Sequence, residues 1–284
     1  MARRHQNLSR RTPGAEGVTA KRPARAAGAS PVPPKGCEAV YGVHSVEALL
    51  SVENDRVEPP RQLWIQEGDA GERLAQLCAI ASERGIDIQR SSREALDAVA
   101  QGGNHQGVVA FCPPLVAEAE QSLLWRLDDW REARPALLLV LDGVTDPHNL
   151  GACLRCVDAA GAHGVIVAKD RAAPLNATVR KVASGAAEAV PVYQVTNLAR
   201  TLETLRSQGV WVYGTAGEAT QSLFEVDLRG PCALVMGAEG KGLRRLTRER
   251  CDALVKLPMA GRVSSLNVSV AAGIGLFEAV RQRG

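Results

Sequence analysis

The sequence predicts an α/β protein with two folded units, a small one followed by a larger one on a mainly parallel sheet. Three observations carry this. Apolar runs such as Ala136 to Leu141 are continuous, as in strands buried on both faces. Between the runs lie segments with apolar residues at helical spacing, such as Leu150, Leu154 and Val157. In the second unit the alternation persists for roughly 150 residues, which puts helices on both faces of the sheet.

The first 36 residues stand apart. They hold eight Lys and Arg (Arg3, Arg4, Arg10, Arg11, Lys21, Arg22, Arg25, Lys35) against Glu16 alone, whereas the whole 284-residue chain carries only +3. The remainder is therefore acidic. Rich in Ala, Pro and Gly and without aromatics, residues 1–36 are expected to form a disordered basic tail suited to phosphate contact. A solvated leader without a role and an Arg-rich transit peptide are the other readings.

The rest has ordinary globular composition, 45% hydrophobic and 23% charged. No run approaches the ~18 apolar residues of a membrane span, and the N-terminus lacks the apolar stretch of a secretory signal. Seven scattered cysteines do not form a disulfide framework, which points to a reducing cytoplasm.

The first unit runs over 37–114. Ser45 is a plausible cap for a helix over 46–51, and Gln62 to Gln66 alternates like a strand. Leu74, Leu77, Cys78 and Ala81 give the helix 72–84, stopped by Gly85. Ile86 and Ile88 mark a short strand, 92–100 a helix, and Val108 to Cys112 a strand closed by two prolines. Residues 115–135, with Leu123, Leu124, Leu127 and Trp130 at helical spacing, read as a linker helix.

The second unit, 136–284, opens with the run to Leu141. A turn, Asp142 to His148, follows, and Asn149 is the expected cap of a helix ending at Gly161. Val165 to Val167 is a strand, 175–183 a helix, 190–195 a strand, and Asn197 caps a helix bearing Leu198, Leu202 and Leu205. Three more strands are expected at 210–213, 233–236 and 253–257, the first running into Gly214 to Gly217. The last helix, 266–281, has Leu266, Val270, Ile274, Phe277 and Val280 on one face.

Strand ends in such a sheet are where ligands bind. Gly237 to Gly242 and Met259 to Asn267 both follow strands and are rich in glycine or small polar residues. The first turn lacks G-x-G-x-x-G, and Lys241 is not followed by Ser or Thr, so dinucleotide and P-loop readings fail. Cys153 and Cys156 lie inside a helix without a second pair and read as small core residues; the five histidines show no ligand spacing, and no metal is expected. Singly, the remaining signals are weak. Arg155 with Asp158 reads as a solvated ion pair, Glu239 as a turn residue, and Ser264, Ser265 and Asn267 as a helix start.

Together they form a pattern. Leu141 to Arg155 resembles the first motif of the SpoU/TrmH family of RNA ribose 2′-O-methyltransferases, Leu234 to Gly242 the second, and Leu257 to Ala271 the third. Residues 41–112 are similar, more loosely, to the L30e-like RNA-binding domain that precedes the catalytic domain in the rRNA enzymes.

The resemblance implies a C-terminal SPOUT domain with a deep trefoil knot, an obligate homodimer, and S-adenosylmethionine as cofactor. It implies cofactor binding around Gly237, Leu257 and Leu266, with Thr215, Gly217 and Met259 lining the pocket. The catalytic set would be Arg155, Asn149, Glu239, Ser265 and Asn267. The implied partner is 23S rRNA, methylated on a guanosine ribose in the peptidyl-transferase region. A tRNA methyltransferase, an antibiotic-resistance methyltransferase and a non-catalytic ribosome-assembly factor remain alternatives.

Overall fold

A computed structural model describes residues 31–52, 57–68 and 71–284, without the side chains of 131–133. The basic tail up to residue 30 lies outside the described residues.

The first unit contains β1 (Glu38–Tyr41), α1 (Val43–Ser51), β2 (Gln62–Gln66), α2 (Glu72–Glu83), β3 (Asp87–Ser91), α3 (Arg93–Ala100) and β4 (Val108–Cys112). Its sheet order is β1-β4-β2-β3, with only the β2–β3 pair parallel. Val46, Leu50, Leu63, Ile65 and Val108 are buried in its main core. β1 was not expected from the sequence. Ser45 does not cap α1: the cap is Gly42, and the orphan Val43 amide donates to Gln106 Oε1 (2.9 Å).

The second unit begins earlier than the run at Ala136. Residues 115–135 contain β5 (Glu118–Ala119) and α4 (Glu120–Ala133). β5 pairs parallel with a strand of the large sheet, and Leu123 and Leu127 of α4 are buried against it. There follow β6 (Leu137–Asp142), α5 (Pro147–Ala159), β7 (Gly164–Ala168), α6 (Ala177–Ala183), α7 (Ala186–Ala189), β8 (Val192–Val195) and α8 (Leu198–Ser207). The chain ends in β9 (Trp211–Thr215), β10 (Gln221–Ser222), β11 (Cys232–Gly237), α9 (Arg245–Glu249), β12 (Ala253–Lys256) and α10 (Val268–Arg283).

The large sheet has the order β10-β12-β9-β11-β6-β7-β8-β5, all pairs parallel. β6 shows why its sequence is apolar throughout. Leu137, Leu139 and Leu141 enter one core with α5 and α10, while Leu138 and Val140 enter the other with α4 and α8.

Two details of the helices depart from expectation. The cap of α5 is Asp146, whose side chain accepts from the His148 amide (2.9 Å), with Pro147 in the first helical position. Asn149 is thus inside the helix, free to point elsewhere. On α10 the buried face is Val268, Ala272, Gly275, Leu276 and Ala279. Of the bulkier face expected to enter the core, Val270 and Phe277 are each 50% exposed, and Leu266, Ile274 and Val280 are only half-buried. Small residues win that position because α10 packs closely: a β-carbon on Gly275 would lie 3.0 Å from Leu234 Cδ1.

The two units are joined by a buried cation. Arg180 of α6 is 2% exposed and pairs with the equally buried Glu188 (Nε–Oε1, 2.8 Å). It also reaches Glu38 of β1 (3.3 Å) and donates to the Pro113 carbonyl (2.9 Å). Burial pushes the Glu188 carboxyl up and the Arg180 charge pulls it back.

Candidate active site

The carboxyl ends of β9, β11 and β12 and the loops that follow them surround an open cleft of about 360 Å³. Thr215, Gly217, Gly237, Leu257, Met259 and Leu266 all line it, together with Glu239 and Ser265. The structure therefore brings together all six residues expected to bind a cofactor.

The walls are set by backbone geometry. Thr215 Oγ1 donates to the Val235 carbonyl (3.0 Å), tying β9 to β11 at the rim. After Gly237 the chain folds back on itself, the Gly242 amide donating to the Ala238 carbonyl (2.8 Å). Gly240 and Gly242 take the left-handed conformation, φ 72° and 64°, that the turn needs. Gly237 is required for a different reason. A β-carbon there would lie 2.5 Å from both the Gly242 carbonyl oxygen and the Leu243 amide nitrogen.

Three expected catalytic residues form one cluster. Asn149 Nδ2 and Asn267 Nδ2 both donate to Glu239 Oε1, each at 3.1 Å, and Asn267 Nδ2 also reaches Asn149 Oδ1 at 2.8 Å. Asn267 is at the same time the cap of α10, its Oδ1 accepting from the Ser269 amide and hydroxyl at 2.9 and 2.7 Å. The carboxylate thus holds both amides, and the cap holds the carboxylate's donor.

Arg155 is not in this cluster. It lies six residues beyond Asn149 on α5, about 9 Å along the helix axis, and lines neither this cleft nor the one next to it. It is exposed and makes no hydrogen bond or ion pair among the described residues, so the expected pair with Asp158 is not formed. Its neighbour Cys156 is in the α5–α10 contact, with Sγ 3.6 Å from the Ser269 carbonyl. Cys153 is buried and its thiol is pushed up to about 12 by burial, an inert core residue. No metal-ligating cluster occurs among the described residues.

Arg244 and Ser269 were not expected at the site from the sequence. Asp142, fully buried at the end of β6, accepts from the Arg244 amide (2.8 Å) and lies beside its guanidinium (Oδ1–Nε, 3.4 Å). Asp142 was visible as an acid ending an apolar strand, but its partner lies 102 residues away.

Residues 136–277 match the SpoU rRNA methylase family, and 39–116 match the substrate-binding family of RNA 2′-O ribose methyltransferases. The chain belongs to the SpoU rRNA methylase family. It is 58% identical over 246 residues to the 23S rRNA (guanosine-2′-O-)-methyltransferase RlmB of Pseudomonas putida, covering 87% of this chain and 97% of that one. The RlmB of Vibrio parahaemolyticus is 55% identical over 247 residues, with coverage of 87% and 97%. Among solved structures, the SpoU methyltransferase AviRb of Streptomyces viridochromogenes, in complex with AdoMet, superposes with a TM-score of 0.69. It is 26% identical and the match covers 87% of this chain and 91% of AviRb.

Proposed function

We propose that this chain methylates the 2′-hydroxyl of a guanosine ribose in 23S rRNA, with S-adenosylmethionine as donor. The observation that carries the reading is the Asn149–Glu239–Asn267 cluster on the rim of a cleft lined by backbone and small residues. The RlmB relatives, matched over nearly their whole length, supply the substrate.

The cleft fits the cofactor. Gly237 leaves no room for a side chain, so backbone forms the wall, and Thr215, Gly217, Leu257, Met259 and Leu266 would hold the adenosine and methionine parts. When bound, the cofactor supplies a sulfonium methyl already activated for nucleophilic attack. The protein must then orient the ribose and manage one proton. Asn149 and Asn267 orient the ribose, and Glu239 fixes both amides. Ser265 positions the substrate from the facing loop. Arg155, always protonated, stabilises the developing alkoxide rather than acting as a base.

Arg155, which lines neither cleft of its own chain, is read as serving the site of a second chain. We propose a homodimer in which α10 covers its counterpart. The exposed Val270 and Phe277, one face of that helix beside α5, support it. Residues 37–114 capture RNA, and the protein works in the cytoplasm, where rRNA is made. We also propose the trefoil knot: β12 lies beyond β9 rather than beside β11, yet α10 returns to pack on β11.

The deciding experiment maps ribose methylation on 23S rRNA from cells with and without this protein. Loss of one guanosine mark supports the reading. An unchanged 23S map with a lost tRNA mark would replace it with the tRNA alternative.

A further inference from the structure

Glu239 separates the cofactor cleft from a second one. The two share Ala238, Glu239, Gly242 and Val268 as a wall. The second cleft is lined by Asp146, Asn149, Arg171, Lys241 and Arg244 as well. Its acidic groups are already occupied. Asp142 holds Arg244, Asp146 caps α5, and Glu239 accepts from the two asparagines. Its cations are not. Arg171 and Lys241 are exposed and make no side-chain hydrogen bond or ion pair among the described residues. Arg171 also sits at φ 59°, a left-handed conformation that a side chain adopts at a cost. The cleft thus presents two spare cations beside carboxylates that each already accept at least one hydrogen bond.

A ribose seated at Asn149 and Asn267 has a phosphodiester on the carbon next to the one that reacts. That phosphate must lie close to the cluster, on the side away from the methyl donor. We infer that the second cleft is the phosphate subsite of the RNA strand, with Arg171 and Lys241 as its ligands and Arg244 behind them. The inference rests on the proposed RNA methylation. Guanidinium and ammonium groups are the usual phosphate partners, Arg through paired N–H donors and Lys as a point charge.

The test uses the full chain and unmodified, transcribed 23S rRNA. RNA affinity is measured across a KCl series for wild type, Arg171→Ala, Lys241→Ala and Arg171→Lys, with cofactor affinity measured on each by calorimetry. Each alanine variant should lower the slope of log affinity on log salt by about 0.7–0.9 for every phosphate no longer neutralised. KM for RNA should rise while cofactor affinity stays at the wild-type value, and Arg171→Lys should keep the wild-type slope. Unchanged slopes in both alanine variants, with wild-type methyl transfer intact, would overturn the subsite. If Lys241→Ala also loses cofactor binding, its loop has collapsed and Arg171→Ala alone decides. Absence of methyl transfer by wild type to any RNA would overturn the parent reading instead; a slope that still falls in the variants would then leave the cleft as a polyanion site.

Discussion

Asn267 donates to Asn149 Oδ1 at 2.8 Å, linking the cap of α10 to the first turn of α5 across 118 residues of sequence. Asn267 therefore joins a structural task, the cap of α10, to the chemical task proposed for it, and the two can be separated. Asn267→Asp keeps an acceptor for the Ser269 amide and should cost little stability. It removes the donor and sets a second carboxylate against Glu239, so methyl transfer should fall by about 10²-fold or more. Asn267→Ala should lose activity and, in addition, about 1 kcal/mol of stability from the missing cap. Denaturant melts and single-turnover assays on the two variants separate the tasks.

Arg155 is exposed and unpaired among the described residues, so Arg155→Ala should change stability by less than about 0.5 kcal/mol while turnover falls by at least about 10²-fold. Arg155→Ala and Asn149→Ala chains should each be inactive alone. Co-expressed, they should regain activity, since a mixed pair holds one site with both residues intact. A mixture as inactive as its components would place Arg155 in the same chain as its Asn149.

Gly237→Ala places a β-carbon against the backbone of Gly242 and Leu243. Backbone cannot rotate away as a side chain can, so the loop 238–242 must move. Cofactor affinity by calorimetry should drop by at least about tenfold, equivalent to about 1.4 kcal/mol, with the N-terminal unit still folded by its own melting signature.

Arg180→Ala leaves Glu188 buried without its cation. A broken buried pair costs about 3–5 kcal/mol, which denaturant unfolding will read. Because the same guanidinium holds Glu38 and the Pro113 carbonyl, the loop between the units should also become more sensitive to protease. The double variant Arg180→Met, Glu188→Leu should recover much of the stability, as it removes both charges together.

His163 should make stability pH-dependent. Burial, aided by the charges of Arg134 and Arg283, pushes its imidazole down to about 4 from 6.5. Its Nδ1 accepts from the Leu137 amide (3.0 Å), a bond open only to the unprotonated nitrogen. The folded state therefore binds its proton less readily than the unfolded state does. Stability from this group is complete above about pH 6.5 and is lost as pH falls toward 4. His163→Gln should flatten that part of the stability curve.

The buried strands and most helices were legible because their signals are local. Ala136 to Leu141 reads as a strand buried on both faces, and Asn197 caps α8 as its position suggests. What was not legible depends on partners far along the chain. Asn149 has the chemistry of a cap, but Pro147 marks the helix start and Asp146 takes the role; Asn149 is drawn instead to Glu239, 90 residues on. The inward face of α10 is decided by how closely Gly275 lets it approach Leu234, so hydrophobicity alone pointed to the wrong side. Within the site, glycines and small polar residues marked the loops that line the cleft. Arg171 carried no signal, because a left-handed backbone at an arginine has no signature in sequence.

The link between Asn267 and Asn149 also has a meaning in time. A polypeptide leaves the ribosome N-terminus first, so the substrate-binding unit up to Cys112 is complete while the catalytic sheet is still being made. Glu239 emerges late, and Asn267 later still, capping a helix whose Arg283 then closes onto the carbonyls of Pro135, Leu228 and Gly230. A growing chain can thus complete its substrate-binding unit before Glu239 and Asn267 have met Asn149, and the cluster closes only once α10 has been made.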